Sequence, residues 1–412
     1  MKFTDVQGGL HQAIALDTAG SVWTWGVFLT SPSGHDPGSG STDASTPYKI
    51  TQDANGNAFN HVIKVHASQV VDAAIKDDGT LWIWGDASGG LLADGTDADW
   101  VAYPTQVNLP VATGVKIIQI SIGYATAVAL GSDGSVWTWG SGGSAASPPT
   151  NTYQAQRDLG ISNTSADYKV AHQVAFPTSA GKIVDIVSGC SYFHLALDIN
   201  GQLYGWGYHA ELLGLGTGGY GVTKTQLTPV ALNTQLGFTQ AVAKISASYA
   251  SVHAILADGT LWGWGDAAQG EVGNGQELDY ANNPYASNSG SSGGAYRWDW
   301  GVGEKLVMQP VQLMSSVGCF TDVFSGSAMI FYSYALDCNG NLYSWGRNKT
   351  NNLGNGVYPQ LPGGAYSGGI TANLPNSWDV PLITLINPFA LTAAIPTNSP
   401  YCVAHPTDSQ CH

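Results

Sequence analysis

Residues 133–140 read Asp133-Gly134-Ser135-Val136-Trp137-Thr138-Trp139-Gly140, a turn followed by aromatic-x-Trp-Gly. The phrase recurs as AGSVWTWG (Ala19 to Gly26), DGTLWIWG (Asp78 to Gly85), NGQLYGWG (Asn200 to Gly207), DGTLWGWG (Asp258 to Gly265) and NGNLYSWG (Asn339 to Gly346). Repetition at this spacing marks one supersecondary unit per copy, each able to bury its apolar face only against its neighbours.

Working outward, an apolar run ending in a variant of Ala-Leu precedes each turn, as in AVALG (Ala127 to Gly131) and HLALD (His194 to Asp198). Another strand-like run lies before that, as in KIIQISIG from Lys116 and FTDVFSG from Phe320. Downstream comes a Pro-led run, as in PYKI from Pro47 and QPVQL from Gln309. Each unit therefore holds four short strands. Asp-Gly or Asn-Gly between β-prone runs makes the second and third a hairpin, with a type I′ turn expected. Proline in the fourth run suits an outer edge, where a missing N–H costs no ladder bond.

Val22-Trp23-Thr24-Trp25 puts both Trp side chains on one face by the two-residue period, and neighbouring strands such as Ala13 to Leu16 are apolar on both faces, so each sheet must lie between two others, the situation of propeller blades. Helical periodicity of any length is absent, which excludes helical solenoids. The expected fold is all-β, a propeller of four-stranded antiparallel blades over residues 1–385, with repeats at about 1–50, 60–110, 115–177, 181–232, 241–313 and 318–385 and a tail from 386 to 412.

The 412 residues are only 10% charged, with a formal net charge of −15 and 14 Lys+Arg. So few cations leave little surface for phosphates, and nucleic acid is not an expected partner. Hydrophobic content of 43% excludes disorder. The longest apolar run, Pro388 to Ile395, is too short to cross a membrane. The start, MKFTDVQGG, is already first-repeat sequence rather than a signal segment, so secretion implies a leader removed beforehand.

The chain resembles the regulator of chromosome condensation repeat, whose units carry Ala-Leu, Asp-Gly, aromatic-x-Trp-Gly and Leu-Gly-x-Gly. The last element reads LLADG (Leu91 to Gly95), LLGLGTG (Leu212 to Gly218), EVGNG (Glu271 to Gly275) and NLGNG (Asn352 to Gly356), and the first and third units lack it. The resemblance implies a β-propeller engaged in interaction work. In character the chain is closer to bacterial secreted members than to the nuclear exchange factor, being acidic and lacking a basic tail. Family propellers usually have seven blades. Here successive Trp-Gly tryptophans lie 59, 55, 67, 58 and 81 residues apart, and only the last gap, with YRWDWG (Tyr296 to Gly301), leaves room for a seventh. Tyr280 to Gly294 lacks the upstream strands, so the echo reads as an inserted hairpin and six blades are expected.

The histidines His11, His194 and His253 read as packed strand residues. Gly214-Leu215-Gly216-Thr217-Gly218-Gly219 matches a dinucleotide phrase but has no following helix, so no cofactor is expected. No nucleophile elbow, zinc spacing or calcium loop appears, so neither an enzyme nor a metal protein is expected. Paired loop carboxylates leave glycosidase chemistry as the last alternative. Cys319 and Cys338 flank antiparallel strands at positions that can face each other, and Cys402 and Cys411 close a short loop. Two bridges favour an oxidising setting, secreted or at the cell surface, in preference to a stretched haem-attachment reading of Cys402, Cys411 and His412. Cys190 is left over.

Every long insertion follows Trp-Gly, which places all of them on one side of the disc. Ten of the 14 Trp belong to the repeat phrases; the rest are Trp100, Trp298, Trp300 and Trp378, set with Tyr103, Tyr280, Tyr285, Tyr296 and Tyr366 among Ser, Gly and Asn. Stiff aromatics among adaptable polar neighbours resemble a paratope, so these nine residues form the expected binding set. The expected function is binding of another macromolecule, a protein first and a glycan second. The third reading is a structural subunit of a surface assembly that associates with itself.

Overall fold

The computed structural model describes residues 2–9, 12–28, 42–68, 71–98, 100–123, 126–140, 159–162, 167–189, 193–207, 210–215, 226–267, 270–275, 306–325, 332–347 and 379–386. Blade 1 comprises β1 (Phe3–Gly8), β2 (Gln12–Asp17), β3 (Val22–Phe28) and β4 (Thr42–Lys49), and blade 2 β5 (Val62–Ala67), β6 (Val71–Lys76), β7 (Leu81–Asp86) and β8 (Trp100–Val107). Blade 3 holds β9 (Ile117–Ile122), β10 (Thr126–Gly131), β11 (Val136–Gly140) and the two-residue β12 (His172–Gln173). Blade 4 holds β13 (Ile183–Gly189), β14 (Phe193–Asp198), β15 (Leu203–Gly207) and β16 (Gln226–Ala231). Blade 5 is β17 (Val242–Ala247), β18 (Ser251–Leu256), β19 (Leu261–Asp266) and β20 (Leu306–Leu313); blade 6 is β21 (Phe320–Ser325), β22 (Tyr332–Asp337), β23 (Leu342–Arg347) and β24 (Asp379–Ile386). Each sheet is an antiparallel meander in chain order, giving the six-bladed β-propeller with its Pro-led strand at the outer edge. β20 pairs directly with β19, so the extra length of the 81-residue interval lies in an insertion between these two strands of blade 5. Among the described residues the helical content is a single 3-10 turn, Ala210–Leu213.

The hairpin turns differ from the expected type. In blade 1 the Gly20 N–H donates to the Asp17 carbonyl at 3.0 Å and the Asp17 N–H to the Ser21 carbonyl at 3.0 Å, a loop of three residues rather than two. Only its glycine has positive φ, 74°, and the same holds at Gly79, Gly134, Gly201, Gly259 and Gly340. This is a type I turn closed by a glycine bulge, which asks for one left-handed residue where type I′ asks for two.

Carboxylates fix these loops in two ways. In blade 1, Asp17 Oδ1 accepts the Ala19 and Ser21 N–H groups and its Oδ2 the Trp23 indole; Asp198 and Asp337 hold the blade 4 and 6 loops likewise and bond Tyr204 and Tyr343. Where that position is Lys76, Gly131 or Leu256, the in-turn Asp78, Asp133 or Asp258 accepts from Thr80, Ser135 or Thr260, whose hydroxyl takes the following Trp indole. Both solutions keep the buried indole or phenol satisfied at the end of an apolar strand.

The core is a series of inter-blade layers. Blade 1 sends Ile14, Leu16 and Val22 against Val62, Val65 and Trp84 of blade 2, and four further clusters repeat this at the junctions 2–3, 3–4, 4–5 and 5–6. Trp84, Trp139, Trp206, Trp264 and Trp345 are all fully buried. Cys319 and Cys338 are disulfide-bonded with Cα atoms 5.7 Å apart, as their spacing suggested. Cys402 and Cys411, with Cys190, lie outside the described residues.

Candidate functional site

The insert face begins at the glycine of each Trp-Gly. Gly26, Gly85, Gly140, Gly207, Gly265 and Gly346 all have positive φ, between 95° and 131°, which turns the chain out of the third strand at a cost only glycine escapes. What leaves the strand then returns to serve the next blade. The Trp139 indole donates to the Leu91 carbonyl at 2.8 Å, Trp264 to Leu212 at 3.0 Å and Trp345 to Glu271 at 2.8 Å. The Leu-Gly-x-Gly loop is thus a backbone acceptor for the following blade's tryptophan. Blade 3 does carry such a loop, contrary to the reading of its sequence: Leu159 is buried, and a Cβ on Gly160, whose φ is 68°, would come within 2.7 Å of Trp206 Nε1. Its second glycine is absent, which hid it. Trp84 has no acceptor, and the sequence of blade 1 carries no Leu-Gly-x-Gly phrase.

Of the expected aromatic set, Trp100 and Tyr103 fall among the described residues. Trp100 opens the edge strand β8 at its insert-side end, opposite Asp86, and is 42% exposed. Tyr103 is partly buried in a stretch where three residues of β8 lie opposite one of β7, between the pairs Gly85–Val101 and Ile83–Thr105. That bulge interrupts the ladder and re-aims the strand beside the insert. Tyr280, Tyr285, Tyr296, Trp298, Trp300, Tyr366 and Trp378 lie outside the described residues.

A second feature went unread in the sequence. The first strand of every blade is irregular at the same point, and the residue just past the irregularity is Asp5, Lys64, Gln119, Asp185, Lys244 or Asp322. From β1 through β5, β9, β13 and β17 to β21 these first strands contact one another in succession, so the six side chains follow one another around the axis. Lys244 pairs with Asp322, and Gln119 Nε2 donates to Asp185 at 2.7 Å. Burial raises the pKa of Asp185, opposed by Gln119, Lys64 and Lys244, and burial raises that of Asp5, opposed mainly by Lys64. The polar third residue of each first-strand phrase was the available signal. One position earlier, Ile63, Ile118 and Val184 are exposed on the turn side of consecutive blades.

The histidines are joints in the core. His66 Nε2 accepts the Ile122 N–H at 2.9 Å, His194 Nδ1 pairs with Ser188 Oγ at 2.9 Å, and His253 Nδ1 with Ser325 Oγ at 3.0 Å. Burial pushes their pKa values down to about 4, about 3 and about 4, so all three are neutral spacers at physiological pH. His11 lies outside the described residues. Among the described residues no group of three or more His, Cys, Asp or Glu is placed to hold a metal, and no helix is long and apolar enough to cross a membrane.

Residues 117–144 match the family described as Regulator of chromosome condensation (RCC1) repeat. Protein pim1 of Schizosaccharomyces pombe is 30% identical over 214 residues, 48% of this chain and 35% of pim1. The ultraviolet-B receptor UVR8 of Arabidopsis thaliana is 24% identical over 282 residues, 68% of this chain and 56% of the receptor. The chain thus spans between about a third and just over half of these relatives. The crystal structure of Prp20p from Saccharomyces cerevisiae, described with its binding to Gsp1p and histones, superposes with a TM-score of 0.63 at 21% identity, covering 95% of this chain and 78% of Prp20p. Repeat phrases, blade topology and these likenesses converge: the chain is a six-bladed β-propeller that carries a Regulator of chromosome condensation (RCC1) repeat at residues 117–144 and resembles the propellers built from that repeat.

Proposed function

We propose that this propeller is a protein-binding module, secreted or displayed at a cell surface, and that its partner rests on the insert face. The observation that carries the reading is Trp100, a large aromatic left 42% exposed at the insert-side end of an edge strand while the repeat tryptophans around it are buried. Tryptophan is among the residues most enriched at binding hot spots. By sequence the same face receives the inserts that hold Tyr280, Trp298, Trp300 and Trp378. Prp20p, with the same fold, is described as binding Gsp1p and histones, which supports a protein as the partner class. The Cys319–Cys338 bridge supports the oxidising compartment. Nothing in the arrangement calls for a cofactor, and the reading is non-enzymatic.

The test is affinity capture with the intact chain, a chain lacking 281–301, and Trp100→Ala. Loss of the captured protein with either change, together with its retention in Ile118→Ser on the turn side, is the expected result. Capture lost in Ile118→Ser alone would put the partner on the opposite face. Specific sugar binding on a glycan array, abolished by Trp298→Ala and Trp300→Ala, would replace the protein reading with a glycan one.

A further inference from the structure

The first strand of every blade carries one unpaired residue at its irregular point, and in chain order these are Thr4, Ile63, Ile118, Val184, Ala243 and Thr321. Each lies one residue nearer the turns than the polar side chain of the axial row. Blades 1 and 6 use the position within the blade: Thr4 Oγ1 donates to the Leu16 carbonyl at 3.2 Å and Thr321 Oγ1 to the Leu336 carbonyl at 3.3 Å. Ile63, Ile118 and Val184 have no hydroxyl to fold back and stand 56%, 41% and 43% exposed on three consecutive blades. Ile199, 66% exposed in the blade 4 turn, extends the row. The fold does not require branched apolar side chains here, because blades 1, 5 and 6 form the same irregularity with Thr or Ala. Apolar residues scattered singly over a surface need no explanation, whereas a contiguous exposed arc marks a contact surface. Every hairpin turn and blade-to-blade linker on this side of the disc lies among the described residues, and the four side chains remain exposed among them.

The charges beside the arc alternate. Asp78 sits in the blade 2 turn, Lys116 enters blade 3 and reaches back to the Asp77 carbonyl at 2.7 Å, Asp133 sits in the blade 3 turn, and Lys182 enters blade 4 and reaches back to the Ser132 carbonyl at 2.7 Å. Thr80 and Ser135 engage Oδ1 of Asp78 and Asp133 and leave Oδ2 to a partner, and each ammonium keeps two donors beyond the carbonyl it holds. Other charges on these turns are used within the blade: Asp77 faces His61 at 3.3 Å, and Lys76 Nζ lies 4.3 Å from the centre of the Trp82 ring.

We propose that this arc is a two-fold interface between two copies of the chain, joined back to back through the turn sides of blades 2, 3 and 4. A two-fold contact lays a row of groups against its own reverse. With the axis running out through blade 3, Ile118 meets Ile118 of the second copy and Ile63 meets Val184. In the same arrangement Asp78 meets Lys182 and Lys116 meets Asp133, each pair occurring twice. A row that alternates in sign is complementary to its own reverse, whereas two lysines flanked by two aspartates would set like charges together. Both insert faces stay outward, free for the partner proposed for them.

Sedimentation velocity of the full chain at increasing concentration tests this, at physiological ionic strength, where a Debye length of about 8 Å screens the net charge of −15. A monomer–dimer equilibrium is expected. Ile63→Thr, Ile118→Thr and Val184→Thr combined give blades 2 to 4 the residue that blades 1 and 6 already carry, so Tm should hold while dimerisation weakens roughly tenfold or more. Asp78→Lys and Lys182→Asp chains should each dimerise poorly alone, because like charges then meet. Mixed, they should recover, because each presents the other with opposite charge at both contacts. A chain monomeric at every concentration, a triple variant that dimerises as before, or a mixture no more associated than its components would overturn the proposal. Loss of a captured protein in the triple variant of a chain that never dimerises would overturn it in favour of a different partner on the arc.

Discussion

The junction between blades 2 and 3 and the junction between blades 1 and 2 use the same side-chain types and reach different degrees of completion. At 2–3, Trp139 is buried and its indole is bonded to Leu91, His66 accepts the Ile122 N–H, and Lys116 Nζ reaches the Asp77 carbonyl at 2.7 Å. At 1–2, Trp84 is equally buried with its indole unpaired. Asp72 opposite it on β6 has one oxygen held by Gln12 at 3.5 Å and the other unpaired. Apolar patterning alone thus closes a junction. Polar satisfaction needs an acceptor from the preceding blade, and among the described residues blade 1 offers none to Trp84. An unmade bond in such a dry place costs more than a made one gains.

The largest way to disturb this contrast is Trp139→Ala, expected to cost about 3–5 kcal/mol in urea unfolding. A loss under about 1 kcal/mol would mean the junction is not the stabilising unit described here.

The second test uses opposite pH responses. Burial lifts Asp72 to about 7, above its ordinary 3.8, with Gln12 opposing. The folded state therefore holds the proton between those values, and stability falls as pH rises through that window. Burial lowers His66 to about 4, below its ordinary 6.5, so the 2–3 junction is fully favoured above 6.5 and weakens as pH falls toward 4. Asp72→Asn, an isostere of the protonated acid, should add on the order of 2 kcal/mol at pH 8 and nothing near pH 3.5. Hydrogen exchange, corrected for intrinsic rates, should show β6 loosening at pH 8 and β9 loosening at pH 5; parallel responses would contradict the assignment.

The third comparison is Trp139→Phe against Trp84→Phe. The first orphans the Leu91 carbonyl and the second removes a donor already unpaired, so the first should cost about 1–2 kcal/mol more. Equal losses would show that Trp84 is satisfied in solution. The smallest expected effect is Lys116→Ala, about 0.5 kcal/mol, because its ammonium bonds one carbonyl at an exposed edge.

Much of this was legible in the chain. The Trp-Gly phrases counted the blades because a side-chain period of two and a turn glycine leave few alternatives, and proline marked the outer strand because it cannot donate to a ladder. The turn type was misread because Asp-Gly suits two loops, and the choice rests on side-chain bonds such as those from Asp17 or Thr80. The blade 3 loop was missed because Leu159-Gly160 keeps the contact without the full motif. The axial ring was missed because irregularity of a first strand shows only against its partner. For the binding set, sequence gave composition and side of the disc, and the structure adds the placement of Trp100 and Tyr103.

By itself, the sequence determined what is periodic and local: strands, hairpins, blade number, the buried Trp face and the Cys319–Cys338 bridge, since each depends on residues close along the chain. Only the tertiary structure decided what depends on a neighbouring blade. That includes which indole finds a carbonyl, which carboxylate keeps its proton, and which axial side chains meet from blade to blade, as Gln119 meets Asp185 and Lys244 meets Asp322. Each of these is set by groups some fifty residues or more away in sequence, and no repeat phrase records how well the facing half was made.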